Sequence, residues 1–391
     1  MRNKISAVVN LVEEDSKLKP LTNRRPIASL PFACRYRLID FPFSVLYNAQ
    51  ADSAALFISG SGHSLYDHIR SGSVWGLDSL AGGGVFTHSQ LALKSERNPE
   101  KKHDAFYYED HYKYVTKSKS KYIFMIGSSM LSNIQFDSLL HFHEEKENEL
   151  TAVYKQVERH SLLKDTVHSR FSMSGENPTI VEAITPLSDT DEENESIKLN
   201  MNMMLIDKKT FLDYLFKAKE DDLDVDVSTF IKLAHEEGKT VNGYEYTGYL
   251  KVIEDILSYY QANMDMLDDE HFNSLFYRAE PVLTRPKDSA PTYYSEAAVV
   301  ENSQFANDCE VYGTVKHSIV FRKVTISENV QIENSIIMQD STIEEDVYLK
   351  HVILDKHVYV KRGARLEGTP DNPIVISKDS VVFAEGEIEE G

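Results

Sequence analysis

The sequence predicts an α/β domain with a Rossmann-like, mostly parallel sheet, followed by a parallel β-helix. Two observations support this prediction. Continuous apolar runs alternate with helical patterns through most of the chain, and a six-residue repeat fills the C-terminal part. With 391 residues, of which 41% are hydrophobic, the chain is long enough to build two separate cores.

Strands are predicted where apolar runs lack alternation, as a parallel sheet covered on both faces requires. The predicted strands are Ile5–Val12, Ala54–Ser59 and Lys121–Ile126. The predicted helices are Phe43–Ala49, Phe136–Leu150 and, as the last element of the first domain, Ile253–Leu267. An acidic, apolar-poor stretch at 188–196 predicts a solvated loop. Strands that alternate with helices indicate a doubly wound sheet.

Prolines at 281, 286 and 291 interrupt the pattern after the last predicted helix. We therefore predict a first domain of residues 1–280, a linker of residues 281–296 and a β-helix domain of residues 297–391.

The β-helix prediction comes from five blocks in which apolar residues recur six positions apart. Three consecutive blocks start at positions 326, 343 and 360, so they are seventeen residues apart, about one turn of a triangular coil. Asn329, Asp346 and Gly363 share one place in these blocks. Because these residue types tolerate left-handed backbone conformations, we predict that they form the corners of the coil.

The formal net charge of −20 argues against nucleic-acid and anionic-membrane partners. The two cysteines, Cys34 and Cys309, suggest no disulfide framework. The N-terminal apolar run is too short for a signal peptide, and no apolar window approaches a membrane span. We expect a cytoplasmic protein.

Several short motifs in a fixed order accompany this domain arrangement: LT at 21–22, YRLIDFP at 36–42, WGLD at 75–78, ANMD at 262–265 and ILDK at 353–356. Together they resemble the glucose-1-phosphate adenylyltransferase (ADP-glucose pyrophosphorylase) family over nearly the whole chain. The resemblance implies a nucleotidyltransferase domain followed by a left-handed β-helix.

The catalytic members of that family hold the nucleotide triphosphate with a glycine-rich turn of the type GGxGxRLxPLT, which brings backbone N–H groups against phosphate. The matching residues 12–18 of this chain read VEEDSKL and contain no glycine. Glu13, Glu14 and Asp15 place three adjacent carboxylates where the resemblance puts phosphate. We expect this turn to repel ATP.

The other catalytic positions that the resemblance implies are also altered. Ser128 and Val252 stand where the family has the two aspartates that hold Mg²⁺, and Ile27 replaces the lysine of an RAKP motif. A TQY segment that contacts the base becomes residues 59–61, and no lysine matches the family's EKP motif. We therefore expect no catalytic residues and no cofactor in this chain, with Mg²⁺ held by a catalytic partner.

A basic group remains beside the altered turn. Arg24, Arg25 and Arg37 match cationic positions that the family uses for phosphate or sugar-phosphate effectors, and Arg35 lies between them. Arginine suits this role because it grips phosphate oxygens bidentately. We predict that these four arginines bind an anionic effector, and that alanine at positions 24 and 25 blunts the effector response without unfolding the protein. The alternative is a set of solvated surface arginines that form weak salt bridges.

The resemblance favours a regulatory, catalytically inactive subunit in a hetero-oligomer, expected to be a tetramer. Its catalytic subunit would make ADP-glucose and pyrophosphate from ATP and glucose 1-phosphate for glycogen biosynthesis. Two alternatives stay open. The first is a weak or altered nucleotidyltransferase that holds metal with Glu254 or with the acidic turn. The second is an acyltransferase that uses a coil histidine: His317, His351 or His357.

Overall fold

The computed structural model describes residues 5–58, 62–78, 83–89, 105–147, 149–188 and 196–391. The fold divides into two compact units, each discontinuous in sequence. The first comprises Met1–Glu13, Ile39–Val252 and Arg278–Leu283; the second comprises Glu14–Leu38, Ile253–Tyr277 and Thr284–Gly391. The predicted domain boundaries, at 280 and 297, assume that each domain is one continuous segment of the chain, and they stay predictions. Residues 189–195 of the predicted acidic loop and the segment 59–61 lie outside the described residues.

A mixed β-sheet forms the centre of the first unit. Its parallel part contains the strands Tyr122–Ile126, Ile5–Leu11, Ser53–Ile58 and Gly84–Ser89, in that spatial order. The strand Ser196–Asp207 pairs antiparallel with Tyr122–Ile126 and extends the sheet on that side. The remaining strands are Leu150–Glu158, Ser169–Met173, Val181–Pro186 and Asn242–Glu245. The predicted strands are confirmed to within a residue at the ends that the structure describes.

Helices surround this sheet, and their apolar sides contribute to its core. The described helices of the first unit are α1 (Asp40–Asn48), α2 (His63–Ile69), α3 (Ala105–Lys117), α4 (Phe136–Lys146), α5 (Lys208–Glu220) and α6 (Val227–Glu236). Phe211 and Tyr214 of α5 and Phe230 of α6 are fully buried in one cluster. The helix predicted to run from Phe136 to Leu150 is too long, because Glu147 takes the left-handed conformation (φ 53°) and ends α4.

Two short helices open the C-terminal part of the second unit. Helix α7 (Ile256–Asp265) begins with a capping box in which Asp255 and Ser258 satisfy each other's backbone N–H groups. Helix α8 (Asp269–Phe276) follows after three residues, capped by the side chain of Asp268. The helix predicted at Ile253–Leu267 is therefore not the last regular element before the prolines, because α8 follows it.

After α8, the second unit continues as a left-handed β-helix, as predicted. Its strands are arranged in three stacked sheets that are parallel throughout, apart from a final antiparallel strand at Ile388–Glu389. The first sheet contains Tyr293–Tyr294, Glu310–Val311, Thr325–Ile326, Thr342–Ile343, Tyr359–Val360 and Val381–Val382. The second contains Val299–Glu301, Thr314–Lys316, Gln331–Glu333, Tyr348–Lys350 and Arg365–Glu367. The third contains Gln304–Phe305, Ile319–Val320, Ile336–Ile337, Val352–Leu354 and Ile374–Ile376.

The repeat positions fall where the sequence places them. Ile326 pairs with Ile343, which pairs with Val360, so successive coils stack in the predicted register. The predicted corners are confirmed as well: φ is 58° at residue 329, 61° at 346 and 77° at 363. Inward-facing valine, isoleucine and leucine side chains form the core of the coil. In the part of the chain that the structure describes, none of the helices has both the length and the apolar character needed to cross a bilayer.

Candidate functional site

The two positions that lack the expected metal-binding aspartates lie close together in the first unit. The short strand Lys251–Val252 pairs antiparallel with Met130–Leu131, which places Val252 opposite Met130, two residues after Ser128. Both positions are buried, with exposures of 2% at Ser128 and 7% at Val252. The fold thus retains the juxtaposition that a two-carboxylate site needs, with a hydroxyl and an isopropyl group in place of the carboxylates.

Glu13 extends from the end of the strand Ile5–Leu11 and contacts the same place. Its Oε1 accepts hydrogen bonds from the backbone N–H groups of Ser128 and Ser129, each at 2.6 Å. Its Oε2 accepts the Ser128 hydroxyl, also at 2.6 Å. Burial raises the pKa of the Glu13 carboxyl, and the hydrogen bonds from the two serines oppose that rise. From the sequence, Glu13 was predicted only to repel phosphate; these contacts depend on tertiary structure and could not be predicted from it.

The residues present do not fit a magnesium ion. Mg²⁺ takes near-octahedral oxygen ligands, usually with one or two carboxylates from the protein. Val252 offers no oxygen, and the Ser128 hydroxyl is donated to Glu13. Both oxygens of the Glu13 carboxylate already accept hydrogen bonds. We therefore derive no metal-dependent step in this chain.

The rest of the altered turn belongs to the second unit. Asp15 precedes the 3₁₀ turn Ser16–Leu18, and its carbonyl accepts hydrogen bonds from Leu18 N at 3.0 Å and Thr22 Oγ1 at 3.2 Å. The Glu14 carboxylate accepts the backbone N–H of Ser16 at 3.0 Å, and hydrogen bonding to Ser16 lowers the pKa of Glu14. These contacts hold the turn in shape without glycine.

Ile27 occupies the place of the family's lysine and has a structural role. It lies in the 3₁₀ turn Ile27–Ser29 and is 2% exposed. An apolar side chain at this burial contributes to the core and offers no charge to a substrate.

Arg25, which was predicted to bind an anionic effector, forms a buried ion pair within the protein. Its Nη2 donates to Asp355 Oδ2 at 2.6 Å, with side-chain exposures of 6% and 3%. Its Nε donates to the Leu21 carbonyl at 2.7 Å. The expectation that alanine at positions 24 and 25 leaves the protein folded stays a prediction. The ion pair indicates that loss of Arg25 lowers stability, because it would leave the buried Asp355 carboxyl without this partner.

The other three arginines occupy different environments. Arg24 is 62% exposed and contacts Asp379 Oδ2 and the Gly391 carbonyl, each at 3.2 Å. Arg35 is exposed at the tip of a hairpin between the strands Pro31–Phe32 and Tyr36–Arg37, while Arg37 is 9% exposed. The sequence placed all four arginines in one predicted anion site, and the structure gives them different exposures.

Lys356 is a buried cation that was not predicted from the sequence. It is 9% exposed, and burial, followed by the charges of Arg37 and Arg25, lowers its pKa to about 7. Arg25, Arg37 and Lys356 therefore form a cationic cluster, in which Asp355 partly offsets the charge. One signal was available: Asp355-Lys356 occupies the place in the repeat that Met338-Gln339 fills one coil earlier, so an apolar repeat position has become ionic.

The three coil histidines named for an acyltransferase are corner residues. His317, His351 and His357 have φ of 46°, 49° and 60°. His351 Nδ1 lies 2.9 Å from the Tyr260 hydroxyl, and His317 Nδ1 lies 2.9 Å from Asn302 Nδ2. These two contacts stabilise the corners at which they lie.

Comparison with known proteins agrees with this fold. The Glycogen biosynthesis protein GlgD of Bacillus subtilis (strain 168) is 30% identical to this chain over 390 residues, which covers 97% of each protein. The chain belongs to the GlgD family. The GlgD protein of Geobacillus stearothermophilus is 31% identical over 406 residues, covering 97% of this chain and 98% of that protein.

A nucleotidyltransferase relative and two family models also match this chain. A glucose-1-phosphate adenylyltransferase of Clostridium novyi (strain NT) is 24% identical over 331 residues, covering 84% of each protein. The family model described as Nucleotidyl transferase matches residues 14–162, and the model described as GlmU-like, C-terminal hexapeptide matches residues 290–372. The predicted resemblance to the glucose-1-phosphate adenylyltransferase family is confirmed.

Proposed function

We propose that this protein is a regulatory, catalytically inactive subunit that activates a catalytic glucose-1-phosphate adenylyltransferase subunit in glycogen biosynthesis. The partner would make ADP-glucose and pyrophosphate from ATP and glucose 1-phosphate and would hold the Mg²⁺ that this reaction needs. The assembly would be a cytoplasmic heterotetramer. Membership of the GlgD family and similarity to an adenylyltransferase support the pathway.

The observation that supports inactivity most strongly is the set of hydrogen bonds that the Glu13 carboxylate accepts. This carboxylate is hydrogen-bonded to Ser128 and Ser129. Ser128 stands where the family resemblance implies an aspartate that holds the metal ion. Val252 supplies no replacement ligand. A chain that retains the fold and has lost these groups can still contribute a surface to an assembly, and can bias its partner by a coupling free energy of about 1–3 kcal/mol.

The second part of the proposal is an anionic effector, such as phosphate or a sugar phosphate, bound at the cationic cluster of Arg25, Arg37 and Lys356. Arg24 and Arg35 would add exposed charge. A buried lysine with a pKa of about 7 is only partly charged at neutral pH, and a bound anion would favour its protonated form. The local positive charge of such a site would attract the anion, against the repulsion expected from a protein whose net charge is −20.

The first experiment measures ADP-glucose synthesis by this chain alone, by a catalytic-type partner alone and by the two mixed, with co-elution of the mixture as a check of assembly. We expect no turnover from this chain and a higher rate or a stronger effector response in the mixture. If the mixture has the same rate of ADP-glucose synthesis and the same effector response as the partner alone, the regulatory role is overturned. Turnover by this chain alone would support the nucleotidyltransferase alternative, and Glu254 would be the first residue to replace.

A second experiment tests the effector site by itself. Lys356→Met keeps the length of the buried stem and removes the charge, and Lys361→Met removes an exposed lysine of the same coil region as a matched control. In the mixture, we expect Lys356→Met to weaken activation by phosphate or sugar phosphate while the control retains it. Equal activation curves for the two variants would exclude the cluster as the effector site.

A further inference from the structure

Three hydrogen-bond donors converge at the end of the buried strand Tyr122–Ile126. They are the backbone N–H groups of Ser128 and Ser129 and the Ser128 hydroxyl. Both serines are buried, at 2% and 7% exposure. All three donors lie 2.6 Å from an oxygen of one carboxylate, that of Glu13, which is short even for charge-assisted hydrogen bonds.

The donors are fixed by the backbone on both sides and not by Glu13. Before them, Tyr122–Ile126 is paired with Ile5–Leu11 and with Ser196–Asp207. After them, Met130–Leu131 is paired with Lys251–Val252. Gly127 completes the concave shape, because a Cβ at this position would lie 2.8 Å from Glu13 Oε1. The site therefore has a preformed geometry that selects a small group with negative charge.

We propose that Ser128, Ser129 and Gly127 form an anion-binding cradle whose resident ligand is the chain's own Glu13 carboxylate, and that removal of this carboxylate opens the cradle to a small external carboxylate or phosphate. The proposal goes beyond the regulatory function and does not depend on it.

The charge preference of the cradle follows from its composition. Backbone N–H groups and a serine hydroxyl aimed at one point stabilise negative charge. Glu13 is partly exposed, so the cradle is not closed off from solvent on every side. Glu13 reaches the cradle because it follows the strand Ile5–Leu11 by two residues, with the Val12 N–H held by Asn10 Oδ1 at 3.2 Å.

The test is chemical rescue of Glu13→Ala. This variant leaves the three donors without their acceptor and should unfold at a lower temperature than the wild type. Sodium formate should restore most of the lost thermal stability, relative to sodium chloride at equal ionic strength, because a ligand that binds only the folded state stabilises it by mass action. An ion with so few heavy atoms binds no tighter than about 1 mM, so the titration must extend well above that concentration.

Two controls make the rescue specific. Glu14→Ala removes the neighbouring carboxylate, which accepts the Ser16 N–H outside the cradle, and this variant should show no formate response. Glu13→Ala combined with Ser128→Ala should lose most of the rescue, because the hydroxyl donor is missing. A parallel titration with inorganic phosphate distinguishes the ligand classes: rescue by formate alone indicates a carboxylate-sized cradle, and rescue by both indicates room for a phosphate.

An unchanged melting temperature of Glu13→Ala in formate and in phosphate, relative to chloride, would overturn the proposal. If Glu13→Ala does not fold, Glu13→Ser replaces it, because serine is polar at this partly exposed position and its short side chain leaves the cradle open. Amide hydrogen exchange at Ser128 and Ser129 is then measured with and without formate. Slower exchange in formate supports an anion cradle, and equal rates contradict it.

Discussion

The buried pair of Arg25 and Asp355 gives a prediction whose size can be worked out from the structure. The two groups are 2.6 Å apart, and their side chains are 6% and 3% exposed. Arg25→Ala leaves Asp355 without its closest cation and the Leu21 carbonyl without its donor. Removing one member of a buried ion pair destabilises a protein by about 3–5 kcal/mol.

This free energy should be visible in thermal unfolding. For a folded unit of 150–250 residues, 1 kcal/mol corresponds to roughly 2–4 °C, so we expect Arg25→Ala to lower the unfolding temperature by about 6–20 °C. Far-ultraviolet circular dichroism follows the transition, and a roughly twofold range of protein concentration checks that association does not set it.

Two comparisons separate the ion pair from a general loss of arginine. Arg24→Ala removes an exposed arginine paired at 3.2 Å, and such pairs contribute roughly 0–1 kcal/mol. Arg25→Met combined with Asp355→Leu removes both charges and should restore much of the stability that Arg25→Ala loses. If Arg25→Ala melts with the wild type, or if the double replacement melts no higher than Arg25→Ala, the reasoning about burial is refuted.

Three further predictions follow from the titratable groups and from the altered site. Burial lowers the pKa of both His143 and His168 to about 4, so both are neutral in the folded state and charged when unfolded below about pH 6.5. Their contribution to the free energy of unfolding should be fully present above that pH and should fall as the pH approaches 4, by up to about 1.4 kcal/mol per pH unit for each histidine. In urea unfolding at several pH values, His143→Gln should reduce this slope. A bound anion favours protonated Lys356, so phosphate binding at about pH 8 should take up protons. Calorimetry detects this uptake, because the heat of binding then depends on the ionisation enthalpy of the buffer. An equal dependence in Lys356→Met would contradict the prediction. Ser128→Asp combined with Val252→Asp should yield no ADP-glucose, because the carboxylate introduced at position 128 would face that of Glu13; measurable turnover by this variant would show that the altered turn matters less than we infer.

The sequence predicted the β-helix in detail because its determinants are local. Each coil repeats a short pattern, so the register and the corner residues Asn329, Asp346 and Gly363 could be read from one stretch of chain. The helix that starts at Phe136 was predicted too long for a similar reason: the amphipathic pattern continues through Glu147, and only the left-handed backbone there ends it.

The candidate site was harder to predict because its contacts join distant residues. Glu13 and Ser128 are 115 positions apart, and Arg25 and Asp355 are 330 apart. The sequence showed which groups had been lost, since that needs only a comparison of residue types. It did not show that Glu13 had gained a new set of partners, or that Lys356 lies near Arg25, because both depend on tertiary structure.

The discontinuous second unit has a consequence for how the protein is made. Its N-terminal segment, Glu14–Leu38, leaves the ribosome long before the coils with which it shares a unit. Arg25 and Asp355 are separated by 330 residues, which takes about 15–70 s to synthesise at roughly 5–20 residues per second. The first unit's long segment Ile39–Val252 emerges within this interval and can begin to fold during it. The segment Glu14–Leu38 must therefore wait for the coils to be synthesised before its unit can form. In a nascent chain that stalls before Asp355, Arg25 cannot form its ion pair with that residue.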